Sequence, residues 1–223
     1  YEISLEGSEY DYKAGDALNV IPVNELSLVD DIIEVLAEDG EKIVELAKDG
    51  EKSFRDALLQ NFEIKTPSKE LIQAIAKNSQ DSELLQLLED KEALSQFLWG
   101  RDLIDFLAHY KHGLDAQSLI SLLKKLQARA YSISSSPKKP PGEAHLTVGS
   151  VRYSSHGRTR HGVASTFLAD RVKEGETDIL CYMHANKAFA VPADDNTPMI
   201  MVGPGTGIAP FRAFLEEREM RQA

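Results

Sequence analysis

The chain has 223 residues, 42% of them hydrophobic, a globular composition that excludes disorder and collagen-like repeats. No apolar run approaches the roughly 18 residues that span a bilayer, no basic-then-apolar leader opens the sequence, and the single cysteine, Cys181, excludes an internal disulfide framework and a cysteine-rich metal site. The net charge is −11, split between residues 1–100 (23 acids, 9 bases, net −14) and the remainder (net +3); the acidic part repels nucleic-acid phosphate, and the basic-leaning part suits a small anionic ligand.

The sequence opens with an alternating apolar pattern at Ile3 and Leu5, a turn at Lys13–Asp16 and a second apolar run over Leu18–Ile21. Residues 1–24 therefore read as β structure. Residues 25–127 read as helical throughout. Leu28, Ile32 and Leu36 recur at helical spacing, as do Leu84, Leu87 and Leu88. Asp39-Gly40 reads as a helix stop, Thr66–Glu70 as a capped helix start, and Leu114–Leu119 as the start of a helix ending near Leu126. Trp99 is expected to pack inside this helical stretch. From residue 128 strands are expected at 131–134, 144–148, 150–153, 179–182 and 199–202. Loops at Ser134–Gly142 and Ser154–Gly162 separate them, and two helices are expected, from about Ala164 to Val172 and Ile208 to Met220. Because the chain opens in a strand and stops near a helical run, it reads as a fragment of a longer protein. The six histidines lack metal-ligand spacing and read as solvated or hydrogen-bonded; Cys181 reads as core. A lone cysteine fits a reducing, cytoplasmic setting.

Three segments carry chemistry. In Arg129-Ala-Tyr-Ser-Ile-Ser134, Arg129 and Tyr131 share one strand face. A guanidinium pairs with phosphate and a tyrosine ring covers a flat heterocycle. In His161-Gly-Val-Ala-Ser-Thr-Phe-Leu168, Gly162 permits close backbone approach. Ser165 or Thr166 can cap the following helix, whose first N–H groups favour an anion. Read alone, these two runs are weak signals and fit an ordinary strand entry and an ordinary helix cap better. Met199-Ile-Met-Val-Gly-Pro-Gly-Thr-Gly-Ile-Ala-Pro-Phe211 is more specific: an apolar run, a glycine-rich loop with the Thr206 hydroxyl, and Pro210 in a first helical turn. It is neither a Walker loop nor the standard G-x-G-x-x-G.

Taken in order, R-A-Y-S-I-S-S, H-L-T-V-G-S-V-R-Y, G-V-A-S-T-F-L and G-P-G-T-G-I-A-P-F-R-A-F resemble the ferredoxin–NADP reductase superfamily. The long helical insert resembles the connecting domain of the diflavin reductases, above all the flavoprotein alpha components of NADPH-dependent sulfite reductases, with the NADPH–cytochrome reductases near. Tyr12-Lys-Ala-Gly-Asp-Ala-Leu18 is similar to the family's Y-x-P-G-D-x-L, with Ala14 in place of proline. The resemblance implies an α+β fold: an antiparallel β-barrel FAD-binding domain (1–24 and 128–197) with a large all-helical insertion (25–127), then the start of a Rossmann-like α/β nucleotide-binding domain (198–223).

The resemblance also implies roles. Arg129 would contact the FAD pyrophosphate, Tyr131 would stack on the isoalloxazine, and Ser132 would assist hydride transfer as the catalytic residue. Ala130 stands where many relatives carry an aromatic. Thr147, Val148 and Gly149 would line the flavin edge, and Tyr153 the adenine side. Gly162, Val163, Ala164 and Ser165 would bind pyrophosphate through N–H groups; Gly203, Gly205, Thr206 and Gly207 would meet the NADPH phosphates. Arg101 is a further candidate for a FAD phosphate. No metal is implied. The implied activity is an NADPH-dependent FAD oxidoreductase passing electrons to FMN in a flavodoxin-like domain upstream, for a sulfite reductase or a haem acceptor. The 2′-phosphate pocket and the terminal aromatic would lie beyond residue 223, so this chain is expected to hold FAD but to oxidise NADPH poorly. Alternatives are a diflavin reductase serving a haem monooxygenase and a non-catalytic flavin-fold docking module.

Overall fold

The chain starts with two short strands, β1 (Glu2–Ser4) and β2 (Ala17–Val20), and a first helix, α1 (Leu26–Leu36). A hairpin of β3 (Ile43–Leu46) and β4 (Gly50–Ser53) follows. Six helices come next: α2 (Phe54–Gln60), α3 (Lys69–Ser79), α4 (Ser82–Leu87), α5 (Lys91–Leu98), α6 (Leu103–His109) and α7 (Ala116–Leu122). Four strands, β5 (Arg129–Ser132), β6 (Glu143–His145), β7 (Arg152–Ser155) and β8 (Arg158–His161), lead to α8 (Val163–Thr166), which runs on into a π-helical turn, Phe167–Arg171. The chain closes with β9 (Cys181–His184), a 3₁₀ turn (Gly205–Ile208) and α9 (Ala209–Arg221). This computed structural model describes residues 1–47, 49–139 and 141–223; Lys48, in the stretch read as helical, and Pro140, in the loop expected over Ser134–Gly142, lie outside the described residues. The fold is mixed α and β, and its named sheets are small and antiparallel.

Two compact units divide the chain: residues 1–21, 128–150 and 172–223 form one, and residues 22–127 with 151–171 form the other. In the first unit β2 is the middle strand of a sheet ordered β5-β2-β9, and β1 pairs with β6. Leu18 and Val20 of β2 are fully buried, with Leu18 in register with Tyr131 on one side and Met183 on the other. The turn before β2 explains its motif. Gly15 has φ +109°, and a Cβ there would overlap the Phe189 carbonyl, so only glycine fits. Asp16 ties the turn down: its carboxylate accepts 2.8 Å bonds from the Lys13 and Asn186 N–H groups. The Tyr12 hydroxyl donates to the Glu143 carbonyl at 2.8 Å and shares a 2.8 Å bond with Ser135. Ala14 is buried against Phe214 of α9, with Phe189 and Phe211 alongside.

The second unit holds the largest apolar core. In α1, Leu28, Val29, Ile32, Ile33 and Leu36 are buried, the stripe expected of a 3.6-residue period, each worth about 2 kcal/mol in area removed from water. Side-chain caps start the helices: Ser53, Ser68, Asp81, Asp90 and Asp115 each accept a backbone N–H of the following turn. The cap of α3 is thus Ser68 and not Thr66.

The structure corrects several expectations. The stretch 25–127 is not helical throughout, because Ile43–Ser53 forms the β3–β4 hairpin, where Val44 and Leu46 alternate inward with Ile43 and Glu45 outward. Met199–Val202 joins no strand ladder among the described residues; Ile200 is 95% and Val202 83% exposed. Trp99 does not pack inside the helices: it is 72% exposed, at the C-cap of α5. Cys181 is half-buried, and burial pushes its thiol pKa up.

Segment 151–171 belongs to the helical unit because its cations meet the acids of residues 25–105. Arg160, 1% exposed, lies 3.1 Å from Asp102 and 2.9 Å from Asp105. Arg158 pairs with Asp31 at 2.7 Å, and His161 with Glu25 at 3.0 Å. Part of the charge asymmetry is therefore spent inside this unit, not on solvent.

Candidate functional site

In the first unit, β5 presents Arg129 and Tyr131 half-buried on one face and Ala130 and Ser132 exposed on the other, the two-residue alternation of a strand. Arg129 and Ser132 are in register with Val20 and Ala17 of β2. Burial pushes the Tyr131 phenol above its usual pKa, against the opposing pull of Arg129; the ring is neutral throughout the physiological range, as a stacking partner requires. Thr147, Val148 and Gly149 follow β6 outside any ladder, with Thr147 and Gly149 exposed. Among the described residues their N–H and C=O groups join no sheet.

The glycine-rich loop lies in the same unit. Gly203 cannot be replaced without a clash: a Cβ would overlap the Gly207 carbonyl and sit 2.7 Å from the Phe211 ring. Gly205 has φ +57° and opens the 3₁₀ turn, closed by the Gly207 N–H donating to the Pro204 carbonyl at 3.0 Å. Pro210 occupies the first turn of α9, whose first N–H groups have no partner within the helix. The fold brings Gly149 beside Thr206: a Cβ on Gly149 would be 3.4 Å from the Thr206 methyl. Two segments 57 residues apart in sequence thus meet, and no local signal marks that meeting.

In the second unit, Tyr153 is 44% exposed on β7, in register with Arg160 of β8. Gly162 is the N-cap of α8. A Cβ there would meet Ser165 Oγ at 2.6 Å and Val151 Cβ at 2.8 Å, so the position demands glycine. Neither Ser165 nor Thr166 caps the helix, because both lie inside it. Ser165 Oγ accepts the Val151 N–H at 3.1 Å, and Thr166 Oγ1 donates back to the Gly162 carbonyl at 2.8 Å. Val163 and Ala164 occupy the first turn, so their N–H groups have no partner within the helix. Arg101 turns back on its own helix end. It donates to the Phe97 carbonyl and lies 4.2 Å from the Phe97 ring centroid, lining a cleft of about 520 Å³ with His109, Tyr110, His156 and Arg158.

At Gly162 and Gly203 a Cβ would strike the protein's own atoms, Val151 and Ser165 in one case and the Gly207 carbonyl in the other, so close chain packing fixes glycine at both. Two residues escaped the motif reading. Arg160 carries no motif and is revealed only by burial. Arg171 donates to the Val163 carbonyl at 2.9 Å from the far end of the π-helical turn, and no motif marks it. Among the described residues, Glu2, Glu143 and His145 bring three ligand-type atoms within 4.8 Å of one another, a grouping the scattered histidines did not suggest. No helix among the described residues is long and apolar enough to cross a membrane.

The sulfite reductase [NADPH] flavoprotein alpha-component of Bacillus subtilis (strain 168) is 43% identical over 222 residues, 98% of this chain and 36% of that protein. Those of Photobacterium profundum and Vibrio parahaemolyticus are each 43% identical over 223 residues, all of this chain and 36% and 35% of those proteins. The chain thus spans about a third of the length of the relatives it matches. The family described as FAD binding domain matches residues 1–167, three quarters of the chain, and to that family the chain belongs.

Proposed function

We propose that this chain is the FAD-holding part of an NADPH-dependent flavoprotein reductase that serves sulfite reduction. The observation that carries the reading is the 43% identity, over nearly the whole chain, to flavoproteins named for that activity. The glycine-bearing turns at Gly162 and Gly203–Gly207 and the Arg129–Ser132 strand support it from the side of chemistry. Residues 1–24 and 128–197 would form the FAD-binding β-barrel, 25–127 the connecting insertion, and 198–223 the first unit of an α/β nucleotide domain. An upstream flavodoxin-like FMN domain and a sulfite-reducing partner would complete the electron path. A half-buried, solitary Cys181 suits the cytoplasm.

FAD, when bound, would supply the redox chemistry, hydride acceptance and one-electron release. The protein's own residues bind and orient. Arg129 would neutralise pyrophosphate charge, and the neutral Tyr131 ring would cover the isoalloxazine. Ser132, with Ala130 on the exposed face of β5, would offer its hydroxyl to the reacting edge. Thr147, Val148 and Gly149 would supply backbone groups to the ring, and Tyr153 its ring to the adenine. Gly162–Ser165 would give N–H groups to the FAD pyrophosphate, and Gly203, Gly205, Thr206 and Gly207 to the NADPH phosphates.

Anaerobic addition of NADPH to the full-length, FAD-loaded protein tests the reading. Bleaching of the flavin bands is expected, with Ser132→Ala slowing it at unchanged FAD content. A protein that keeps its FAD and is not bleached by NADPH would refute the reductase assignment.

A further inference from the structure

Residues 163–171 form one continuous helical run that changes type halfway, from α to π. Two α turns take about 7.2 residues. A π turn, with its i→i+5 bonds, absorbs about one residue more; such turns are rare and frequently sit at functional sites. The eighth residue after Val163 therefore returns to the same side of the helix. That residue is Arg171, and its Nη2 donates to the Val163 carbonyl at 2.9 Å. Without the π turn the side chain would be rotated off this line.

The rest of the guanidinium is held as well. It lies 5.5 Å from the centroid of the Phe167 ring, within cation–π range. Nη1 is buried and has no hydrogen-bond partner among the described residues. Burial lowers the Arg171 pKa, opposed by the nearby Glu25 and Asp170 carboxylates; an arginine is still charged at neutral pH. A buried cationic nitrogen left unpaired costs stability, so packing alone does not account for an arginine here. Methionine would fill the space at lower cost.

We infer that Arg171 is a positioning residue for the pyrophosphate-binding segment Gly162–Ser165, holding the Val163 peptide so that the first-turn N–H groups face the ligand and placing a fixed positive charge behind them. This rests on the FAD reading above. The ligand class is a dinucleotide pyrophosphate, whose charge offsets the cost of the buried Nη1 only when bound.

The test is FAD affinity, read by quenching of flavin fluorescence, in the unaltered protein, Arg171→Met and Arg171→Lys, with far-UV circular dichroism to establish folding. Loss of a charge-assisted bond predicts about tenfold weaker FAD binding for Arg171→Met. Arg171→Lys, which restores a charged donor, should recover to within about threefold of the unaltered protein. Arg171→Gln, which keeps an uncharged donor, serves if Arg171→Met does not fold, and should be weakened more than Arg171→Lys. Equal losses for the lysine and the uncharged variant would reduce the role to packing and overturn the inference, as would an uncharged variant within twofold of the unaltered protein. An unaltered protein that takes up no FAD would instead overturn the reading beneath it, and the inference with it.

Discussion

Removing Arg160 should destabilise the helical unit through stranded charge. Its guanidinium is 1% exposed and bridges Asp102 at 3.1 Å and Asp105 at 2.9 Å. Arg160→Met keeps much of the volume but leaves two carboxylates facing each other at the start of α6. Breaking a buried pair from one side costs about 3–5 kcal/mol. Two contacts moderate this: Lys65 remains 3.3 Å from Asp102, and Asp105 still accepts the Asp102 N–H at 2.7 Å. The lower end, about 3 kcal/mol, is therefore expected, or roughly 6–12 °C in Tm for a chain of this size. Urea denaturation followed by circular dichroism measures it. Adding Asp105→Asn to Arg160→Met should recover about 1 kcal/mol, because the amide preserves the cap while removing the like charge. A single variant within about 0.5 kcal/mol of the unaltered protein, the ordinary scatter of a neutral substitution, or a double variant less stable than the single, would refute the argument.

Two further outcomes follow from the same geometry. Glu217 is buried, which alone would raise its pKa, but Lys138 at 2.8 Å, Ser136 at 2.6 Å and Arg221 at 3.0 Å outweigh burial and hold it below the ordinary glutamate value. Its contribution is therefore fully present above the ordinary glutamate range and lost as pH falls through the depressed folded pKa. Acid titration of stability should show a shallower decline in Glu217→Gln, and identical acid limbs would contradict this. Gly203→Ala should disturb the Gly203–Gly207 loop, where a Cβ overlaps the Gly207 carbonyl; in the full-length protein NADPH-dependent flavin reduction should fall at least tenfold while FAD content holds, and a parallel loss of FAD would show that the loop does not act on NADPH alone.

What the sequence revealed and what it hid divide along physical lines. The Leu28–Leu36 stripe, the start of α7 within Leu114–Leu119 and the alternation in Arg129–Ser132 depend on near neighbours, and all were legible, although α7 ends at Leu122 and not near Leu126. The demand for glycine at Gly162 and Gly203 was legible as motif, while its cause, overlap with Val151, Ser165 and Gly207, appears only in three dimensions. The β3–β4 hairpin was missed because its few apolar residues sit among acids that also suit helices. Trp99 was misplaced because a large aromatic near apolar stripes gives no sign of which way it faces. Least legible were the ties of segment 151–171: Arg158–Asp31 and His161–Glu25 join residues 127 and 136 positions apart. No periodicity reports on such pairs.

The central claim is that this chain is built to hold FAD, and titration of the purified chain with FAD tests it most directly. One flavin per chain is expected, retained through gel filtration with quenched fluorescence, and weakened when Tyr131→Ala removes the stacking ring. A correctly folded chain that retains no added FAD would contradict the account.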